Sequence, residues 1–196
     1  MTDLDTDHAP PVDPVLRARN RRMLLIIAIA FLGTFFAAGV LRFSGWRPAG
    51  LKSKGELLQP AADLHARGLV LADGQPYPWE PIARKWRIVV VPPAQCAQAC
   101  DTLARQLDTV WQIQGKDASR VDVLWLGAVP AAAPATSHQR ALRNDAGVHA
   151  ALPRSGTEAG PVTYVMDPNG FAVLRYAPGF DPGDLRTDLS RLLKLQ

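Results

Sequence analysis

Cysteine is scarce in this sequence, because its 196 residues include two, Cys96 and Cys100. Two cysteines cannot build a disulfide-rich scaffold or a four-cysteine zinc site. The sequence also lacks the Gly-x-Ser-x-Gly motif of serine hydrolases and the Gly-x-x-x-x-Gly-Lys loop that binds phosphate. It contains no internal repeat. These absences leave hydrolytic chemistry and phosphate-loop chemistry without support.

A strong excess of charge of one sign is also missing. The formal net charge is +4, and no basic stripe interleaved with aromatic residues occurs, so the sequence does not predict nucleic-acid binding. Hydrophobic residues make up 47% and charged residues 20%, which is typical of a chain that folds. The length suits one folded domain with additional segments.

One long apolar run is present. Met23 to Leu41 holds 19 residues without a charge, and as a helix it would span about 28 Å, close to the hydrocarbon thickness of a bilayer. The apolar region of a cleaved signal peptide is usually shorter, about 7–15 residues. The run therefore predicts a transmembrane helix. Four arginines at positions 17, 19, 21 and 22 precede it, which favours a cytoplasmic N-terminus and a folded part outside, where disulfides persist.

These signals divide the chain into four parts. Residues 1–22 are predicted to be a disordered, basic cytoplasmic tail, and residues 23–41 the transmembrane helix. Residues 42–56 contain several glycines and a proline and are predicted to be a linker. Residues 57–196 are predicted to form the folded domain.

Both cysteines lie between a predicted strand and a predicted helix. Ile88 to Val91 is a short β-branched run typical of a buried strand, and Pro92 and Pro93 end it. The residues that follow recur at the spacing of one helix face. They are Cys96, Cys100, Leu103, Leu107, Val110 and Trp111.

The chemistry of this position makes Cys96 and Cys100 the candidate catalytic and metal-binding residues. A helix N-terminus carries unpaired N–H groups and a partial positive charge, which favour thiolate over thiol. Side chains at positions i and i+4 lie one above the other, so two sulfurs can close a disulfide or bind one soft metal ion. Two plainer interpretations stay open: both cysteines are small core residues, or they form a structural bridge.

The rest of the domain alternates strands and helices. Val121 to Leu126 and Val162 to Met166 are predicted strands, and a turn then leads into a returning strand over Phe171 to Tyr176. Asp181 is predicted to cap a final helix that has Pro182 at its first position. This order is the thioredoxin arrangement. We therefore predict an α/β fold, with a thioredoxin-like central sheet flanked by helices, after one N-terminal transmembrane helix.

Three further expectations concern the segment before the third strand. Ser137 is expected to cap a short helix over residues 138–145, and residues 146–160 are expected to be irregular. Pro161 stands where thioredoxin folds place a cis-proline beside the cysteines, and we hypothesise a cis bond there.

Several short motifs follow one another along residues 55–195. They are Gly55-Glu56-Leu57-Leu58 with Pro60, Asp73-Gly74, Trp86, Cys96-x-x-x-Cys100 with Leu103, Arg120-Val121, and Tyr164 to Gly170. In this order, and after an N-terminal anchor, they resemble the Sco family of cytochrome c oxidase assembly proteins. The resemblance is closest to the short, single-span, Sco-like membrane proteins of bacteria.

The resemblance implies a function and a location. In the Sco family two cysteines and a distal histidine bind copper, and the cysteines undergo thiol–disulfide exchange; Cys96 and Cys100 match them. It implies copper as the cofactor, and cytochrome c oxidase subunits or other assembly factors as partners beside the lipid bilayer. It also implies a single-pass protein of the bacterial inner membrane, with its C-terminal domain in the periplasm.

The sequence departs from the family where the copper-binding histidine belongs. The window 157–163 contains no histidine, and Asp101 replaces a proline that often follows the second cysteine. Two thiolates can hold Cu(I), whereas a Sco-type Cu(II) site needs a third ligand. His149 is the first candidate, His65 and His138 are weaker ones, and Glu158 is a poorly matched oxygen ligand. Asp101 would disfavour the neighbouring thiolate by like charge.

Three functions stay open, and so does the question of whether the chain is an enzyme. The first is oxidase assembly through Cys96 and Cys100, by copper handling or by thiol–disulfide exchange. The second is a non-catalytic docking protein in which the two cysteines form a fixed brace. The third, a general disulfide oxidoreductase, is disfavoured because such enzymes use Cys-x-x-Cys.

Overall fold

The computed structural model describes residues 14–44, 53–134 and 138–194. The chain divides into two units, residues 1–51 and 52–196. The predicted tail up to residue 13, most of the predicted linker, and Ser137 lie outside the described residues.

The first unit contains one long helix, α1 (Pro14–Phe43). Its segment Arg17–Phe43 is long and apolar enough to cross a membrane, with a mean hydropathy of 2.6 over its most apolar window. Residues 14–22 belong to this helix, so the prediction that they are disordered is wrong. Arginine is a good helix former and proline suits the first helical position, which explains the earlier start.

The second unit is built on one six-stranded sheet. Its spatial order is β1-β6-β5-β2-β3-β4. Strands β2, β3 and β4 run parallel to one another, while β5, β6 and β1 pair antiparallel. The strands are β1 (Glu56–Asp63), β2 (Trp86–Val91), β3 (Val121–Leu126), β4 (Gln139–Leu142), β5 (Val162–Met166) and β6 (Phe171–Tyr176).

Three helices accompany the sheet: α2 (Ala97–Ile113), α3 (Ala146–Ala151) and α4 (Pro182–Leu192). Alternate residues of a strand point to opposite faces, and the core is divided accordingly. Ile88 and Val90 pack with α2 and α4 on one face. Val89 and Val91 pack with α3 and the segment 64–77 on the other. The predicted α/β thioredoxin-like class is confirmed.

The segment 138–151 differs from the prediction. Residues 139–142 form β4 rather than a helix, and the helix follows as α3 within the stretch expected to be irregular. Pairing with the buried strand β3 favours the extended conformation over local propensity. The capping residue is Asp145, whose side chain accepts hydrogen bonds from the backbone N–H groups of Gly147 and Val148.

Helix α2 is anchored by a buried cluster near its C-terminal half. The ring of His138 stacks on Trp111 with 3.9 Å between centroids. The Nε2 atom of His138 lies 3.2 Å from Oδ1 of Asp108. Burial lowers the pKa of His138 more than the Asp108 carboxylate raises it, so the imidazole is neutral near neutral pH. The cluster joins α2 to the start of β4 and thereby fixes the helix that carries the cysteines.

Candidate functional site

Cys96 and Cys100 form a disulfide at the start of α2, with a Cα–Cα distance of 5.4 Å. Cys96 is the N-cap residue and Cys100 lies in the first turn. The backbone N–H of Cys100 donates to the carbonyl of Cys96 at 3.2 Å. Cys100 is buried, with 5% of its surface exposed, whereas Cys96 is half-buried. Cys96 is therefore the more exposed residue of the pair.

The position follows from the sequence immediately before it. Strand β2 is buried along its whole length and ends at Val91. Pro92 and Pro93 cannot donate hydrogen bonds to a neighbouring strand, so the sheet pairing stops there. Only two residues separate Pro93 from Cys96. The disulfide therefore lies beyond the carboxyl end of a rigid central strand.

An open groove of about 470 Å³ runs beside the first turns of α2. One wall is a row of uncharged polar residues at helical spacing, Gln98, Thr102 and Gln106. The other wall is formed by Gly160 and Pro161 and by residues 178–180. The lining of the groove includes Ala99, which precedes Cys100 in the chain, and carries no charged side chain. It offers an uncharged surface next to the disulfide.

The hypothesis of a cis bond before Pro161 is wrong. The cis peptide bond found among the described residues is Gln59–Pro60, at the sheet edge, and the bond before Pro161 is trans. Gly160 nevertheless has a close neighbour, because a Cβ atom there would lie 2.7 Å from Cβ of Pro178. A larger residue, including a histidine, does not fit at position 160 without a shift of the opposite loop.

The three histidines considered as a third metal ligand have other partners. His149 lies in α3, with Nε2 2.8 Å from Oδ1 of Asn144. His138 is in the buried cluster with Asp108, and His65 packs against the ring of Trp79. In the parts of the chain that the structure describes, no group of three histidine, cysteine, aspartate or glutamate side chains is arranged to hold a metal ion.

Glu158, the acidic candidate in the same sequence window, is also engaged. It forms an ion pair with Arg175, whose side chain is 3% exposed. Arg175 also pairs with Glu56 at 3.1 Å. Hydrogen bonds from Arg154 and Arg175 hold the pKa of Glu56 below its usual range. The window 157–163 is thus tied to β6 by an ion-pair network.

Comparison with known families assigns the domain. A family described as "transmembrane-like, thioredoxin-like, C-terminal domain" matches residues 86–196, more than half of the chain. The chain belongs to this family. The match spans β2 to the C-terminus and therefore includes the disulfide and the groove.

The solved structures to which this chain is similar include two Sco proteins and a protein described by its alkyl peroxide reduction activity. ScoI of Bradyrhizobium japonicum, solved with copper bound, is 21% identical, with 64% of this chain and 96% of that chain covered and a TM-score of 0.44. Arabidopsis thaliana ScoI with copper bound is 16% identical, with coverages of 66% and 96% and a TM-score of 0.46. The bacterioferritin comigratory protein of Xanthomonas campestris is 16% identical, with coverages of 71% and 94% and a TM-score of 0.43. No curated protein matches the sequence.

One feature of this thioredoxin-like domain was not predicted. Asp101 was expected to act on the cysteines by charge alone, but its Oδ1 atom also accepts a hydrogen bond from the backbone N–H of Ala132 at 3.4 Å. No local pattern indicates this contact, because the two residues are 31 positions apart. The row of Gln98, Thr102 and Gln106 could have been found from the sequence. Polar residues recur there every four positions, on the side of the helix away from its apolar face.

Proposed function

We propose that this chain is a membrane-anchored thiol–disulfide redox protein whose working groups are Cys96 and Cys100. The observation that carries the proposal is the asymmetry of the pair. One sulfur belongs to a half-buried N-cap residue and the other to a buried residue in the first helical turn. The helix N-terminus stabilises the thiolates that reduction creates.

The asymmetry gives the exchange a direction. A thiolate of a partner dithiol attacks the sulfur of Cys96, and the bond between Cys96 and Cys100 breaks with Cys100 as the leaving thiolate. The second thiol of the partner then attacks the mixed disulfide and releases Cys96. The partner leaves as a disulfide, and the domain keeps the two electrons and takes up protons as a dithiol.

The interpretation of the disulfide as a fixed brace has less support. The bridge joins residues only four positions apart, so it restricts the unfolded chain little. The chain-entropy relation gives about 2 kcal/mol for such a loop, compared with about 4.7 kcal/mol for a loop of 100 residues. The partial exposure of Cys96 and the neighbouring groove are features that a brace does not need.

The proposed location is the bacterial inner membrane, with α1 as a single span and the domain in the periplasm. The length and apolarity of Arg17–Phe43 support a span, and the arginines at its start favour a cytoplasmic N-terminus. The periplasm permits stable disulfides. The series of Sco-like motifs supports a role in cytochrome c oxidase assembly, and oxidase subunits or other assembly factors are the proposed partners.

A redox titration of the full chain in detergent tests the proposal. We expect reversible reduction of Cys96–Cys100 in glutathione buffers, with a potential between about −300 and −200 mV, because structural disulfides lie below about −300 mV. Free thiols are counted by alkylation and mass spectrometry. The C96S/C100S variant is the control and should show no change in mass. A pair that stays oxidised below −300 mV would instead support the brace.

Copper handling is the second candidate, and the closeness of the two sulfurs favours it. Two cysteine side chains close enough to form a disulfide can, once reduced, approach one small soft ion from two sides. Two thiolates suit Cu(I), for which they supply soft ligands. Because His149, His138 and Glu158 have other partners, the described donor set fits Cu(I) and not a three-ligand Cu(II) site.

A Cu(I) titration of the reduced full chain against a competing chelator tests this second function. Its expected result is one Cu(I) per chain, lost in the C96S/C100S variant. Adding His149→Ala should leave the affinity unchanged, since His149 is bonded to Asn144. Binding no stronger than in the double variant would exclude copper handling and leave thiol exchange.

A further inference from the structure

The loop that follows β3 passes close to the start of α2. Residues 127–134 leave the carboxyl end of β3, next to that of β2, and turn at Pro130, whose carbonyl accepts the N–H of Ala133 at 3.0 Å. Val129 and Ala133 are half-buried against the same core cluster as Cys96. We name residues 127–134 the β3 loop.

Asp101 connects this loop to the cysteine helix. Its Oδ1 atom accepts the N–H of Ala132 at 3.4 Å, and this contact joins α2 to the tip of the β3 loop. Asp101 follows Cys100 directly in the chain and is half-buried. Within the described residues it forms no ion pair, and Arg105, one turn along α2, hydrogen-bonds Thr102 instead. The structure thus places a half-buried carboxylate that has no ion-pair partner among the described residues at the position directly after the buried cysteine.

We propose that Asp101 is a positioning residue that makes the Cys96–Cys100 disulfide resistant to reduction. The inference rests on the proposed thiol–disulfide function and identifies the side chain that regulates it. Two effects act in the same direction. The negative charge opposes the thiolate that forms on Cys100, and the hydrogen bond to Ala132 holds the β3 loop at the start of the helix that carries the cysteines.

The charge effect acts on the leaving group. Because Cys100 is buried, a nucleophile attacks Cys96 and the electrons pass to Cys100. A neighbouring carboxylate raises the energy of that thiolate, and a poorer leaving thiolate departs more slowly. The same charge shifts the equilibrium towards the disulfide. It opposes the helix N-terminus, which favours thiolates.

Two substitutions separate the charge from the hydrogen bond. Asp101→Asn removes the charge, while the amide oxygen can still accept the N–H of Ala132. Asp101→Ala removes both. Asp73→Asn is the matched control, since Asp73 also accepts a backbone hydrogen bond, from Gln75, but lies on a turn beyond the edge strand β4.

The test measures the rate of reduction by dithiothreitol and the equilibrium with glutathione, using full-length variants in detergent. For Asp101→Asn we expect reduction about three- to tenfold faster, and an equilibrium shifted by the same factor towards the dithiol, equal to about 15–30 mV. Asp101→Ala should be reduced at least as fast. Hydrogen exchange in peptides covering the β3 loop should increase in Asp101→Ala alone. Asp73→Asn should match the native chain.

The outcome for Asp101→Asn decides whether the proposal fails. If the rate and the equilibrium of Asp101→Asn stay within twofold of those of the native chain, the proposal is wrong, whatever happens in Asp101→Ala. That failure is distinct from failure of the proposed function, which would appear as a native disulfide that glutathione buffers cannot reduce. The dithiothreitol rates of the variants can be compared in either case.

Discussion

The Cys100→Ser variant should accumulate a mixed disulfide on Cys96, and the Cys96→Ser variant should form none. Cys96 is half-exposed as the N-cap of α2, so its thiolate can attack an external disulfide. Cys100 is 5% exposed and lies in the core cluster. In the native domain we expect Cys100 to resolve the mixed disulfide, because it is one helical turn away. Without Cys100 no second thiol of the chain can attack the mixed disulfide, so this intermediate accumulates.

Glutathione disulfide is a suitable probe for this prediction, and mass spectrometry of the full chain in detergent is the measurement. Cys100→Ser should gain one glutathione per chain that persists until a reductant is added. The native chain, first reduced, should return to its internal disulfide. Cys96→Ser should stay unmodified at the same time point, and C96S/C100S is the blank. Equal modification of the two single variants would show that Cys100 is as accessible as Cys96 and would contradict the proposed direction of exchange.

The elements that the sequence predicted correctly are those with strong local signals. Strands β2, β3 and β5 are mostly apolar and buried along their whole length, and α4 has an aspartate cap followed by proline. Strand β1 was missed because it is an edge strand with mostly exposed residues and a proline inside it. Strand β4 has four residues, and its extended conformation depends on pairing with its neighbour β3. No local sequence pattern therefore predicts it.

The candidate site was predictable only in part, for a similar reason. The spacing of Cys96 and Cys100 after a proline-terminated strand places them at a helix start, which is local information. The contacts that surround them join distant residues. Asp101 and Ala132 are 31 positions apart, and Arg175 and Glu158 are 17 apart. Whether a charged side chain faces solvent or a buried partner depends on tertiary packing, so sequence patterns could not assign either pair.

Asp188→Ala should destabilise the folded unit by about 3–5 kcal/mol, because it removes the acceptor of a buried network. Asp188 is 2% exposed. Its Oδ2 atom accepts the backbone N–H groups of Lys54 and Gly55, at 2.6 and 2.9 Å, and the hydroxyl of Tyr176 at 2.8 Å. Burial and the Asp188 carboxylate raise the pKa of Tyr176, so its hydroxyl stays protonated as a donor. With alanine these donors lose their partner.

The network also explains the glycine that begins the Gly55-Glu56-Leu57-Leu58 motif. A Cβ atom at Gly55 would lie 2.6 Å from the ring of Tyr176, so the chain can reach Asp188 only without a side chain there. This contact joins the segment before β1 to α4 and β6. Asp188→Ala should therefore release the start of the folded unit as well as lower its stability.

Thermal and denaturant unfolding of the full chain in detergent, followed by near-ultraviolet circular dichroism, measures the loss. Asp184→Ala is the matched control, because Asp184 lies on the same helix and pairs with the same Lys54, at 3.6 Å, but is 41% exposed. An exposed pair contributes about 0–1 kcal/mol. If the free energies of unfolding of Asp188→Ala and Asp184→Ala differ by less than about 1 kcal/mol, the network does not hold the start of the unit. A loss of several kcal/mol confined to Asp188→Ala would show that the contact between Asp188 and residues 54–55 stabilises the domain that carries the disulfide.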